Sequence, residues 1–277
     1  MTATATAPRP TAPHDLRVGT TSSNKNNYLR HALVLAKRSL YKTLRTPESL
    51  IDVTLQPIIF LLMFVYIFGG AISGGAPSHY IQFLVPGLLG QTIAMASIAV
   101  GQYLNSDIDK GVFDRFRSLP IGRSVPLVGV VLADLVRYLV LFVILISTAL
   151  LMGFDVGGHW GGVFASLTLA VGFALCFCWV SVWIGMTVRT PGAVQGVMFM
   201  IVFPLSFGSS AFVPVDTMPG WLQAFVHVNP ITHVVDAVRG MMLGGPVAGP
   251  VMWTLVSMGA LLVVFVPLAM RAYKRRT

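Results

Sequence analysis

The chain has 277 residues, 55% of them hydrophobic and only 10% charged, with a formal net charge of +9. Soluble domains carry roughly a quarter charged residues, and a soluble fold of this size has too little interior to hide so much apolar side chain. A water-soluble enzyme is therefore excluded, and lipid must solvate much of the surface. The only two cysteines, Cys176 and Cys178, stand two apart in an apolar run. On a helix they point to different faces, so they read as small core residues rather than a disulfide or redox pair.

Residues 1–24 are rich in Ala, Thr, Pro and Ser and lack an apolar run. They read as a disordered cytoplasmic tail, not a signal peptide. From 25 to 46, Leu29, Leu33, Ala36, Leu40 and Leu44 recur at helical spacing, with Arg30, Lys37, Arg38, Lys42 and Arg45 around them. This pattern predicts a basic amphipathic helix lying along an anionic membrane face. Thr46-Pro47 then starts a new helix.

Six apolar segments follow, at 49–72, 81–104, 125–152, 162–188, 192–213 and 250–270. Each is near the roughly 20 residues that cross a bilayer. With an even number of spans, four groups of bases fall on one side. They are the N-terminal bases, the group Lys110, Arg115, Arg117 and Arg123, Arg189 in the turn between the fourth and fifth spans, and the tail group Arg271, Lys274, Arg275 and Arg276. The positive-inside rule places that side, and both termini, in the cytoplasm. The chain thus reads as one transmembrane domain over 25–271 with a short basic tail at 272–277.

In the third span Asp134 and Arg137 are three apart and can pair. Counting back about 20 residues from Gly153 puts them near the inner interface, so a structural pair at the cytoplasmic rim is expected. A proton relay is the sharper alternative, but it needs several intramembrane acids.

The cytoplasmic stretch 104–129 mixes both charge signs. Phe113 and Phe116 can share one face of a short helix, with Asp114, Arg115 and Arg117 around it. The residues alone leave two roles open for this aromatic knob: a groove on a partner protein or the lipid headgroups. Asp107 and Asp109 also form a short Asp-x-Asp pattern like a transferase metal motif, with no His or further carboxylate cluster to support it.

Residues 209–249 lie outside yet are too apolar for a solvated loop. Asn229-Pro230 can start a helix and Gly244 can end it. Ile231, Val234, Val235, Val238 and Met241 make an apolar stripe, and Asp236 can pair with Arg239. Trp221 and Phe225 suit the membrane interface. The expectation is two short helices dipping back into the outer leaflet. His227, His233 and Asp236 lack metal-site spacing. The sequence contains no GxxxxGK[ST] phosphate loop, no HExxH and no GxSxG, so no catalytic residue and no metal site is assigned.

Several ordered blocks resemble the permease subunits of type-2 ABC exporters, above all the daunorubicin-resistance group of actinobacteria. They are LQPIIFLLMFVYIFGGA at 55–71, YIQFLVPG at 80–87, DIDKGVFDRFRSLP at 107–120, VLADLVRY at 131–138, TVRTPGAVQGV at 187–197 and FVPVDTMPGWLQAFVHVNPITHVVDAVRG at 212–240. The resemblance implies an all-α membrane fold: six transmembrane helices, an N-terminal connecting helix, a cytoplasmic coupling helix and an outer re-entrant helical hairpin. It implies that Asp109, Lys110, Gly111, Phe113, Asp114, Arg115, Phe116 and Arg117 couple the chain to a separate ATPase. Pro219, Trp221, Asn229 and Pro230 would form the outer hairpin. The implied unit has two permeases, identical or different, and two ATPases that bind Mg-ATP. This chain would hold no cofactor and bind no nucleic acid.

The function expected from this is export of a hydrophobic or amphipathic drug across the bacterial plasma membrane. Met198, Phe199, Phe203 and Phe207 on the fifth span are candidates for the substrate path. Alternatives are export of an endogenous lipid or polyketide, an integral-membrane transferase using Asp107 and Asp109, and a proton-coupled carrier using Asp134.

Overall fold

A computed structural model describes residues 47–69, 77–111 and 125–276. The N-terminal tail, the basic helix expected at 25–46 and most of the loop carrying Phe113 to Arg117 lie outside these residues. Among the described residues all regular structure is helical.

Helix α1 (Pro47–Met63) runs into a π-helical turn at Phe64–Phe68. Helices α2 (Pro77–Ala96) and α3 (Ile98–Asp109) make one rod loosened at Ser97, whose hydroxyl donates to the Ala94 carbonyl at 2.6 Å. Then come α4 (Val125–Leu151), α5 (Trp160–Thr187) and α6 (Pro191–Phe207). The short helices α7 (Gly220–Val228) and α8 (Pro230–Leu243) meet at Asn229, and α9 (Ala248–Arg276) closes the chain.

Four stretches are long and apolar enough to cross a membrane: Tyr80–Asp109, Val128–Leu151, Trp160–Thr187 and Ala248–Arg275. Two shorter apolar helices cover Leu55–Ile67 and Pro191–Phe207. The fifth expected span is therefore shorter than 192–213. At about 1.5 Å per residue α6 is roughly 26 Å long, and it stops where Gly208 leaves helical geometry (φ −85°, ψ 46°).

Helix α5 sits at the centre, packed against α3, α4, α8 and α9. It is buried on several faces, through residues such as Phe173, Ala174, Phe177 and Val182, as expected for a helix surrounded by protein. Small residues let α3 and α5 touch. A Cβ on Gly185 would lie 2.6 Å from the Gly101 carbonyl oxygen. Polar groups hold the same contact. The Gly101 N–H donates to Ser181 Oγ at 3.0 Å, and Asn105 Nδ2 donates to the carbonyls of Gly185 and Val188 at 2.9 and 2.8 Å. Close packing of small residues with a few hydrogen bonds is how helices associate where the solvent is as apolar as the side chains. Both cysteines are buried and free, and Cys178 shares a 2.8 Å hydrogen bond with the Tyr138 hydroxyl.

Helix α9 is peripheral. Only 6% of its most apolar stretch is buried, and Trp253, Val256 and Val263 face outward. Helix α8, by contrast, is built into the bundle against α2, α5 and α9. Ile231, Val234, Val235 and Val238 form its buried stripe as the periodicity indicates, but Met242 completes it and Met241 is only half-buried. Gly244 ends the helix at φ +76°, a conformation open to glycine at no steric cost.

Asp134 and Arg137 do pair, at 3.1 Å, and the pair is enclosed by protein, both residues being 7% exposed. The reason lies in the loosened rod. Arg137 Nη2 donates to the Ala96 carbonyl beside Ser97, where the local geometry frees an acceptor that lipid does not satisfy.

Candidate functional site

A cavity of about 440 Å³ lies between α1, the α2–α3 rod, α4 and α6. That volume falls in the usual range for small-molecule sites. One wall comes from α6, where Gln195, Phe199, Phe203 and Phe207 recur every four residues and so share one face. Their rings form a ladder, with centroids 5.1 Å apart from Phe199 to Phe203 and 4.5 Å from Phe203 to Phe207. The ladder continues through Phe212 at 5.0 Å to Phe64 at 4.5 Å and Phe60 at 6.2 Å. Phe64 opens the π-helical turn of α1, a local irregularity often found at functional sites. The aromatic band thus passes from α6 to α1.

The opposite wall is polar in places. Gln91 and Thr92 come from α2, Gln102 from α3 and Arg137 from α4, with Gln56 from α1. Gln102 Nε2 donates to Gln195 Oε1 at 3.1 Å and ties α3 to α6. Arg137 is the only formally charged group among the described residues that line the cavity. The site combines flat apolar surface with scattered hydrogen-bonding amides and no nucleophile or paired carboxylates.

Three of the four residues proposed for the path, Phe199, Phe203 and Phe207, line this cavity. Met198 does not. It is fully buried, because one position along a helix turns the side chain by about 100°, into the bundle. The glutamines and Arg137 were not singled out as site residues. The four-residue spacing from Gln195 to Phe207 is the signal that points to one of them.

Of the coupling residues, Asp109 ends α3 and is exposed, as is Lys110. Gly111 has φ +65°, so the chain leaves α3 in a turn that an L side chain rarely adopts. Phe113, Asp114, Arg115, Phe116 and Arg117 lie outside the described residues.

In the hairpin, Pro219 caps α7 and Trp221 is 75% exposed. Pro230 occupies the first turn of α8. Asn229 is nearly fully buried and does two jobs. Its Oδ1 accepts from the Ile231 N–H at 2.9 Å, and its Nδ2 donates to the carbonyls of Leu205 and Gly208 at 2.6 and 2.7 Å. The hairpin is thereby clasped to the end of the aromatic helix. Nearby, Arg239 meets Asp236 at 2.9 Å and the Ser210 carbonyl at 2.8 Å, and lies 4.0 Å over the Phe83 ring. His233 stacks on Trp253. Among the described residues no group of three or more His, Cys, Asp or Glu is placed to hold a metal.

Residues 30–243 match the ABC-2 type transporter family. The chain belongs to that family. It is 39% identical over 230 residues to the daunorubicin resistance ABC transporter permease protein DrrB1 of Streptomyces coeruleorubidus, covering 83% of this chain and 81% of the relative. It is 27% identical over 256 residues to the probable doxorubicin resistance ABC transporter permease protein DrrC of Mycobacterium tuberculosis, covering 90% of each. It is 25% identical over 201 residues to the inner membrane transport permease YadH of Escherichia coli, covering 70% of this chain and 77% of the relative. The chain is a multi-pass plasma-membrane permease subunit, and the ATP that drives an ABC-2 permease is bound by its partner ATPase subunit.

Proposed function

We propose that this permease exports amphipathic drugs and that the aromatic cavity is its half of the translocation path. The observation that carries the reading is the ladder of Phe199, Phe203 and Phe207 facing a 440 Å³ space. Flat rings stack favourably on such a surface, and the two drug-resistance relatives support a drug as cargo.

The six apolar helices each cross the membrane, with both termini cytoplasmic and the α7–α8 hairpin re-entering from outside. A second permease copy, identical or related, packs across the exposed face of α6 at Val197, Met200 and Ile201 and closes the cavity. Two ATPases dock on the segment that begins at Asp109–Gly111 and continues through Phe113 to Arg117. ATP binding draws the ATPases together, and the coupling segments tilt the permease halves. The equilibrium then shifts from an inward-open to an outward-open cavity.

Inside-out vesicles containing the permease and its ATPase test this. ATP-dependent uptake of doxorubicin is expected, with little uptake of a fluorescent phospholipid. Uptake by the permease alone, or of the phospholipid alone, overturns the reading. Phe116→Asp is expected to leave the permease in the membrane but to abolish co-purification with the ATPase. Co-purification with undiminished drug-stimulated hydrolysis counts against the docking role.

A further inference from the structure

The cavity wall contains a buried polar side chain that no other described residue hydrogen-bonds. Gln91 on α2 is 3% exposed and lines the cavity. Among the described residues no hydrogen bond engages its side-chain amide, which stays accessible from the cavity. Elsewhere in the bundle the amide nitrogens are used: Asn105 Nδ2 ties α3 to α5 and Asn229 Nδ2 ties α8 to α6, while Asn105 Oδ1 is enclosed without a partner among the described residues. The Gln91 amide faces a space large enough for a small molecule.

We infer that Gln91 is a specificity-determining residue that hydrogen-bonds hydroxyl, ketone or quinone oxygens carried on the flat rings of the transported molecule. This rests on the exporter reading above and narrows its substrate. A ligand that displaces water from a buried amide must return the lost hydrogen bonds. An oxygen-bearing ring does so, whereas a bare hydrocarbon or acyl chain leaves donor and acceptor stranded. The lining also discriminates by charge. Among the described residues no carboxylate lines the cavity, and Arg137 is its one formal charge. Asp134 is engaged by Arg137 and is not part of the lining. A protonated amine inside would meet a guanidinium and amides but no counter-ion. The attraction of a phenyl face does not offset that burial. An aminated drug therefore inserts its oxygenated rings and keeps its ammonium outside the cavity.

The test uses the purified permease–ATPase complex in nanodiscs, corrected with empty nanodiscs. The probes are 1,8-dihydroxyanthraquinone, anthracene and ethidium, a flat cation without oxygen. Gln91→Leu is expected to weaken dihydroxyanthraquinone binding about tenfold or more and to change anthracene by less than about twofold. Gln91→Glu is expected to strengthen ethidium binding about tenfold, by supplying the missing counter-ion. If Gln91→Leu does not assemble with the ATPase, Gln91→Met, which keeps the volume, takes its place. Equal loss for both neutral ring systems, or loss for neither, overturns the inference while leaving the exporter reading intact. If the wild-type complex binds none of the three probes, the exporter reading falls and the inference with it.

Discussion

The hairpin clasp and the cavity wall are both polar patches inside an apolar bundle, yet they are organised in opposite ways. At the clasp, Asn229 serves three backbone groups, and Arg239 is met by a carboxylate, carbonyls and an aromatic face. At the cavity, Gln91 is buried and no other described residue hydrogen-bonds its amide. The clasp leaves Arg239 Nε without a partner among the described residues, but its remaining bonds tie elements together, whereas an amide that opens onto space retains its capacity for a ligand. The difference separates residues that hold the frame from residues that meet the cargo. Arg137 belongs to both, paired with Asp134 and bound to Ala96 while forming part of the lining.

Substitutions can break this contrast. The largest effect is expected from Asp134→Ala, which strands a buried guanidinium and costs about 3–5 kcal/mol. Thermal unfolding in detergent reads it, and the double variant Asp134→Leu, Arg137→Met should recover most of the loss. Next is Asn229→Ala. Loss of the cap costs about 1 kcal/mol, and the stranded carbonyls add about 1–3 kcal/mol. Faster hydrogen exchange at the end of α6 checks this. Gly185→Val drives a side chain against the Gly101 carbonyl and should cost about 1–3 kcal/mol, seen as a lower unfolding temperature. Smallest in stability is Phe203→Ala, within about 0.5 kcal/mol because the ring is 41% exposed. Its signature is instead weaker doxorubicin binding, by up to about tenfold, at a near-normal unfolding temperature. A Phe203→Ala protein that melts early but binds normally would reverse its assignment from cargo to frame.

Much of the architecture is legible in the sequence because lipid imposes a simple rule. Runs of apolar residues near bilayer length must be helices with every backbone group bonded internally, and the expected segments reappear in α1 to α6 and α9. The helix at Asn229-Pro230, its end at Gly244 and the Asp236–Arg239 pair follow from local capping and spacing. The site is only partly legible. A four-residue repeat indicates that Phe199, Phe203 and Phe207 share a face, but whether that face meets lipid, protein or a cavity depends on α1 and the α2–α3 rod. The enclosure of Asp134 and Arg137 is hidden for a related reason. Their spacing shows that the two can pair, but it contains no information about a distant acceptor at Ala96.

Composition and periodicity alone determined that this chain lives in a membrane and which stretches are helical, because these are properties of single segments in a given solvent. Tertiary structure alone decided that Gln91 opens onto a cavity, that Met198 turns inward and that Asn229 clasps two helices. Those outcomes depend on which faces of different helices meet, and no single segment encodes the position of its neighbours.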